Sequence, residues 1–181
     1  DVIDIGIPET VVEAVGPKQY LLTADRIASY FQPRPADMHK GKSGHLLVVA
    51  GSTGKTGAAA MTALSAMRSG AGLVTLGIAE SLNPIIETLV LEVMTAPLMQ
   101  RQGGIIADTA LDEILALADG KSCLAFGPGI GQATETRNLV EKLVTRIDIP
   151  MVIDADGLNN IAGQIDLLKK LKAPTEIGRA S

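Results

Sequence analysis

The sequence is poor in the residues that stabilise extracellular and membrane proteins. Its 181 residues include one cysteine, no tryptophan and only 2% aromatic residues. Because Cys123 is alone, no intrachain disulfide can form, and we expect a reducing cytoplasm. No apolar run approaches the roughly 20 residues that a membrane-spanning helix needs. The chain also opens on Asp1 rather than Met, which predicts a processed or excised piece.

An excess of charge of one sign is missing as well. The net charge is −4 and no stripe of lysine and arginine is present, which argues against a nucleic-acid-binding or membrane-binding surface. Apolar residues make up 46% of the chain and charged residues 20%, as in an ordinary folded protein. We therefore expect one domain, or part of one, with an aliphatic core and a small-molecule ligand.

One stretch, residues 46–60, has the pattern of a ligand site. Leu46–Ala50 predicts a short buried strand, Gly51–Gly57 contains three glycines, and Ala58–Arg68 predicts a helix that packs closely on a sheet. Backbone amides at the start of such a helix are unpaired and lie at the positive end of its dipole. The pattern therefore predicts that an oxyanion such as a phosphate docks here.

The rest of the chain alternates between strand and helix patterns. Strands are predicted at Leu73–Ile78, Val90–Thr95, Cys123–Phe126 and Met151–Ile153, and helices near 83–89, after Asp108 and after Thr134. This alternation is typical of an α/β protein with a mostly parallel sheet covered by helices on both faces. Three unusual turns, 51–57, 127–131 and 154–159, follow strand ends, so we expect them to converge on one crevice.

The segment before residue 39 shows weaker signals. Val2–Ile7 predicts an edge strand closed by Pro8, and Thr23 can cap a helix over Ala24–Tyr30. The run Pro33–Pro35 then predicts a linker.

Two familiar nucleotide-binding motifs fail on spacing. Gly54-Lys55-Thr56 ends like a P-loop, but that motif needs a glycine where Val49 stands. The dinucleotide fingerprint G-x-G-x-x-G fails because Gly51, Gly54 and Gly57 are evenly spaced.

A third interpretation comes from a resemblance carried by five motifs in order. They are His39-Lys40-Gly41 with Gly44, Leu47–Ser52 with Gly57-Ala58-Ala59, Arg68–Val74, Gly127–Gly131, and Asp154–Asn159. Together they resemble the ADP/ATP-dependent NAD(P)H-hydrate dehydratase family over about residues 39–160. Asp4–Pro8 is similar to the end of the NAD(P)H-hydrate epimerase domain, so we expect residues 1–17 to be its tail or a linker. Residues 18–181 would then be the amino-terminal part of the dehydratase domain.

The resemblance implies a ribokinase-like, three-layer α/β/α fold and a repair reaction. Hydrated NADH or NADPH would be dehydrated at the expense of ADP or ATP, with Mg²⁺ neutralising the phosphates. The implied partners are these hydrated dinucleotides, an adenine nucleotide and further copies of the chain, without nucleic acid or membrane.

The resemblance also implies the binding residues. The family's contacts with the hydrated nucleotide map onto Ala58 and Gly131. The full predicted set of substrate-binding residues is Gly51, Ser52, Gly57, Ala58, Gly127, Gly129, Gly131, Asp154, Asp156 and Asn159.

Several charged residues have two interpretations each. Asp154 and Asp156 could orient a metal-bound water or a ribose hydroxyl, or they could cap a helix and form a turn. Lys40 and Lys55 could pair with phosphate or simply be exposed. His39 and His45 have no further ligand at metal-binding spacing, so we expect no zinc site.

The family's catalytic aspartate lies in a Gly-Thr-Gly-Asp turn, and these 181 residues contain none. The catalytic residue is therefore unknown, and we expect the chain by itself to lack dehydratase activity. Two alternatives remain open at this point. One is a ribokinase-like kinase acting on a sugar or hydroxymethylpyrimidine, and the other is a non-catalytic nucleotide-binding module.

Overall fold

A computed structural model describes residues 4–18, 21–31, 33, 35 and 37–178. The chain divides into two units, Asp1–Asp37 and Met38–Ser181. Among the described residues, no helix is both long and apolar enough to cross a bilayer.

The first unit contains two short helices. Helix α1 (Glu9–Val15) ends at Gly16, whose left-handed conformation lets its amide bond to the carbonyls of Val12 and Glu13. Helix α2 (Ala24–Ala28) begins after Thr23 as predicted, but it stops before Tyr30 and the Thr23 side chain makes no capping bond.

The strand predicted for Val2–Ile7 is wrong over the residues that the structure describes. Residues 4–8 form no strand, because Gly6 has a positive φ of 75° and its amide bonds to the Asp4 carboxylate at 2.8 Å. Val2 and Ile3 lie outside the described residues, and so does Arg34 of the predicted linker.

The second unit is built on a six-stranded parallel sheet with a separate two-stranded antiparallel ribbon. The sheet order is β3-β2-β1-β6-β7-β8, and β4 pairs with β5. In chain order the strands are β1 His45–Val49, β2 Leu73–Ala79, β3 Met94–Leu98, β4 Gln100–Arg101, β5 Ile105–Ile106, β6 Cys123–Phe126, β7 Met151–Ile153 and β8 Thr175–Ile177.

Two strand predictions need correction. The strand predicted over Val90–Thr95 begins only at Met94, because the amides of Leu89 and Val90 bond to the Ile86 carbonyl and Val93 bonds to Val90. Strand β8 was not predicted, since its three residues carry no hydrophobic alternation of useful length.

Five helices connect the strands of this unit: α3 Thr56–Ser69, α4 Asn83–Glu87, α5 Leu111–Ala118, α6 Thr134–Arg146 and α7 Asp156–Ile161. Neither of the residues after which a helix was predicted is the N-cap of that helix. Asp108 lies in a short 3₁₀ turn before α5 and pairs with Arg101 and Lys142. Thr134 is the first residue of α6, and the residue at its N-cap is Ala133.

The core lies between the sheet and its helices. Ala59 and Ala63 of α3 are fully buried, which confirms that small residues let this helix approach the sheet. Met61 of the same helix lies on its outer face, since 67% of it is exposed. One face of α6 packs into the core: Leu139, Val140, Leu143, Val144 and the following Ile147 are all buried.

The order of strands reverses direction between β1 and β6. From β1 the chain moves outward through β2 to β3, and from β6 it moves the opposite way through β7 to β8. The connections that leave β1 and β6 therefore diverge, and the carboxyl ends of these two strands face a gap between them. Parallel α/β sheets bind their ligands at such a switch point.

Candidate functional site

Three turns meet at this switch point, as the sequence predicts. The Gly51 amide donates to the Pro128 carbonyl at 2.8 Å, and the Gly127 amide donates to the Val49 carbonyl at 3.1 Å. The third turn joins them through the Asp154 amide, which bonds to the Phe126 carbonyl at 3.1 Å. The ends of β1, β6 and β7 are thus tied to one another by backbone hydrogen bonds.

The turn after β1 leads into α3. Ser52 is 5% exposed, and its hydroxyl donates to the Gly129 carbonyl at 2.7 Å. The amides of Thr56 and Gly57 have no acceptor among the described residues, as expected for the first turn of a helix. A Cβ at Gly57 would have no atom within 4 Å, so a ligand could approach the backbone there.

Two glycines after β6 are needed for the turns to pack. Gly127 has a φ of 120°, and a Cβ there would overlap the Asp154 carbonyl and lie 2.8 Å from the Gly157 nitrogen. At Gly129 a Cβ would lie 3.0 Å from the Cβ atoms of Ala58 and Lys55. Gly131 differs, because nothing lies nearer than the Ser52 hydroxyl at 4.0 Å.

The Asp156 carboxylate is the polar centre of the site. Its Oδ2 accepts from the Lys55 ammonium at 2.8 Å and from the Gly131 amide at 3.0 Å. Its Oδ1 accepts from the side-chain amides of Gln132 at 3.0 Å and Asn159 at 3.3 Å. One carboxylate therefore joins the turn after β1, the turn after β6 and helix α7.

This role differs from the capping interpretation made for Asp156. Its side chain does not cap α7, whose N-cap is Ala155. Both oxygens already accept two bonds each, which uses the acceptor capacity of a carboxylate. A direct contact between Asp156 and a ligand stays a prediction.

Burial by itself would raise the pKa of Asp156, which is 6% exposed. The hydrogen bonds from Lys55, Gln132, Gly131 and Asn159 outweigh burial and lower this pKa to about 2. The group is therefore ionised at neutral pH.

A carboxylate whose pKa is lowered in the folded state stabilises the protein above its unfolded pKa of 3.8. That contribution, about 2 kcal/mol, is lost as the pH falls from there through about 2. We expect the difference in unfolding free energy between the wild type and Asp156→Asn to shrink by this amount over the same pH range. Urea denaturation at several pH values measures it, and a pH-independent difference would contradict the assignment.

Three residues of the site escaped the sequence predictions. Ala155 is the one non-glycine residue with a positive φ, 49°, among those the structure describes. Such backbone strain concentrates at functional sites. Asn160, 1% exposed, donates to the carbonyls of Gly131 at 2.8 Å and Asp156 at 2.7 Å. Asn160 could have been found as a polar residue on the buried side of α7. Nothing in the sequence around Gln132 pointed to its role.

The remaining predicted residues are divided between the carboxyl ends and the amino ends of the strands. Asp154 lies in the site, with its carboxylate against Gly178. Lys40 does not join the others, because its carbonyl packs on Gly72 just before β2, at the amino-terminal edge. His45 begins β1 at that same edge, and its Nε2 lies 2.8 Å from the Thr75 hydroxyl. In the described ranges no three His, Cys, Asp or Glu side chains could jointly hold a metal ion.

Comparisons with known proteins agree with this architecture. A family model described as NAD(P)H-hydrate dehydratase matches residues 46–176. The bifunctional NAD(P)H-hydrate repair enzyme Nnr of Moorella thermoacetica is 38% identical over 162 residues, which cover 90% of this chain and 31% of the relative. The chain thus spans about a third of the length of such relatives.

Two solved structures are similar in three dimensions. The ADP/ATP-dependent NAD(P)H-hydrate dehydratase from Bacillus subtilis, co-crystallized with ATP/Mg²⁺, is 30% identical with a TM-score of 0.56, over 75% of this chain and 46% of that one. A ribokinase-like superfamily protein from Enterococcus faecalis V583 is 17% identical with a TM-score of 0.67, over 82% and 51% of the two chains. The second likeness shows the fold alone, and the predicted ribokinase-like α/β class is confirmed.

Proposed function

The chain belongs to the NAD(P)H-hydrate dehydratase family, and from this we propose that its protein returns hydrated NADH or NADPH to NADH or NADPH at the expense of ADP or ATP. The observation that carries the proposal is the family match over residues 46–176. That range contains all three turns of the switch point.

The nucleotide has a clear chemical purpose in this reaction. Hydroxide is a poor leaving group, so direct loss of water from the hydrated ring is slow. Transfer of a phosphoryl group to the ring hydroxyl turns it into a phosphate ester. The carbon–oxygen bond then breaks with phosphate carrying the electron pair, and the neighbouring ring carbon gives up a proton to restore the double bond.

The three turns of the switch point would supply the dinucleotide side of this site. Gly57, Ala58 and Gly131 would form the wall on which the hydrated dinucleotide lies, and Gly57 and Gly131 leave the backbone accessible. Mg²⁺ prefers to keep few protein ligands when phosphates are present. With both Asp156 oxygens taken by protein donors, Mg²⁺ would be held chiefly by the nucleotide phosphates, whose charge it would neutralise.

We also propose that the protein is located in the cytoplasm and forms a homo-oligomer.

Gly57→Ala separates ligand contact from folding. Gly57 is the second residue of α3, so alanine is expected to stabilise the protein by up to about 1 kcal/mol. The added methyl group would also occupy the space left for the ligand, and we expect NADPH to bind at least about fivefold more weakly. The change in nicotinamide fluorescence when NADPH binds measures the affinity directly.

Ser65→Ala is the matched control for this variant. Ser65 lies on the exposed side of the same helix, so alanine should favour the helix and leave NADPH binding unchanged. Unchanged binding by Gly57→Ala would remove Gly57 from the proposed wall.

The proposed function is tested with protein expressed from the complete reading frame that encodes this chain. Hydrated NADPH is mixed with the protein, Mg²⁺ and either ADP or ATP, and the return of NADPH absorbance is followed. We expect recovery of NADPH only when a nucleotide is present. Phosphorylation of a sugar or hydroxymethylpyrimidine without NADPH recovery would instead support a kinase, and binding without turnover would support a nucleotide-binding module.

A further inference from the structure

We propose that Asp156 is a positioning residue for the hydrated dinucleotide, acting through the Gly131 peptide and the Lys55 side chain, which it holds in place. This inference rests on the proposed function and assigns a role inside the same site.

The hydrogen bonds show why Asp156 acts through its neighbours. Each carboxylate oxygen accepts two donors, and the four donors come from three separate segments. The carboxylate is almost fully buried, whereas half of the Lys55 side chain is exposed. The surfaces left for a ligand therefore belong to Lys55 and to the backbone of Gly131.

The Gly131 peptide is held from both sides by α7. Its amide donates to the Asp156 carboxylate at 3.0 Å, and its carbonyl accepts from the Asn160 side chain at 2.8 Å. The same Asn160 amide group donates to the Asp156 carbonyl at 2.7 Å. Because Gly131 has no side chain and a φ of 86°, these bonds rather than packing define its orientation.

Asp156→Asn is the informative substitution, because it keeps the shape and removes the charge. In either orientation of the new amide, an NH₂ group replaces one oxygen and faces two hydrogen-bond donors. At least two of the four bonds must then break. We expect the KM for hydrated NADPH to rise by about tenfold, the size of one lost charge-assisted bond, with a smaller change in kcat.

The reading frame used for the activity assay also serves for this test. Asp166→Asn is the matched control, since that carboxylate is 84% exposed and pairs with the exposed Lys169, and its KM should equal that of the wild type. Lys55→Met removes one of the four donors, and its effect on KM should be less than additive with that of Asp156→Asn. Hydrogen exchange of the Gly131 amide should be faster in Asp156→Asn than in the wild type. In Asp166→Asn it should be unchanged.

The possible results separate this inference from the proposed function. A wild type that does not recover NADPH contradicts the proposed function and, with it, the ligand role of Asp156. An active wild type combined with an unchanged KM in Asp156→Asn overturns the inference and leaves the function standing. If Asp156→Asn does not fold, Gln132→Leu is the second variant, because it removes one donor without neutralising the carboxylate. An unchanged KM together with unchanged hydrogen exchange of the Gly131 amide would then contradict the inference.

Discussion

Replacing Gly127 by alanine is expected to destabilise the protein by about 3 kcal/mol or more. Gly127 has a φ of 120°, which alanine adopts only with strain. The new Cβ would also overlap the Asp154 carbonyl and lie 2.8 Å from the Gly157 nitrogen. Both obstacles are backbone atoms, so the turns after β6 and β7 would have to move apart.

Urea denaturation of the wild type and of Gly127→Ala measures this loss of unfolding free energy. Gly54→Ala is the matched control, since Gly54 also has a positive φ, 79°, but no atom lies within 4 Å of its Cβ position. Only the conformational cost of about 1–2 kcal/mol should appear there. Equal losses in the two variants would show that strain alone, and not the contact between the two turns, makes glycine necessary at Gly127.

Phe126→Ala is expected to cost about 3–5 kcal/mol of unfolding free energy. Phe126 is the last residue of β6, is 1% exposed and pairs with Val49 on one side and Ile153 on the other. Truncation would leave a cavity directly beneath the three turns. The backbone hydrogen bond from the Asp154 amide to the Phe126 carbonyl would then rest on a less rigid support.

The chain offers its own control for this substitution. Phe31 is the only other phenylalanine and is 70% exposed, so Phe31→Ala should change stability by no more than about 0.5 kcal/mol. Phe126→Leu should be destabilised much less than Phe126→Ala, because leucine leaves a smaller cavity. A cost below about 1 kcal/mol for Phe126→Ala would contradict the assignment of this residue to the core.

Much of the second unit could be predicted because its signals are local. The buried runs of β1, β2, β6 and β7 and the amphipathic pattern of α6 appear directly in the sequence. Predictions were wrong where the signal was short or ambiguous. Gly6 ends the strand expected over Val2–Ile7, the turn after α4 delays β3, and β8 has only three residues.

The site was predictable as a place but not as a set of interactions. Parallel strands bring their carboxyl ends to one edge, so the convergence of turns 51–57, 127–131 and 154–159 follows from the order of elements. The same rule placed Lys55 and Asp156 near each other. It did not reveal that their charges pair at 2.8 Å, because the two residues are 101 positions apart and their distance depends on how β1 and β7 lie in the sheet.

By itself, then, the sequence determined the α/β class, the central strands and the family, because hydrophobic periodicity and glycine-rich motifs are properties of short segments. Only the tertiary structure decided what the turn residues do. Gly127 and Gly129 proved necessary for packing, Gly131 is open, and Asp156 binds donors from three segments. These roles depend on distances between residues far apart in the chain, which no local pattern of residues specifies.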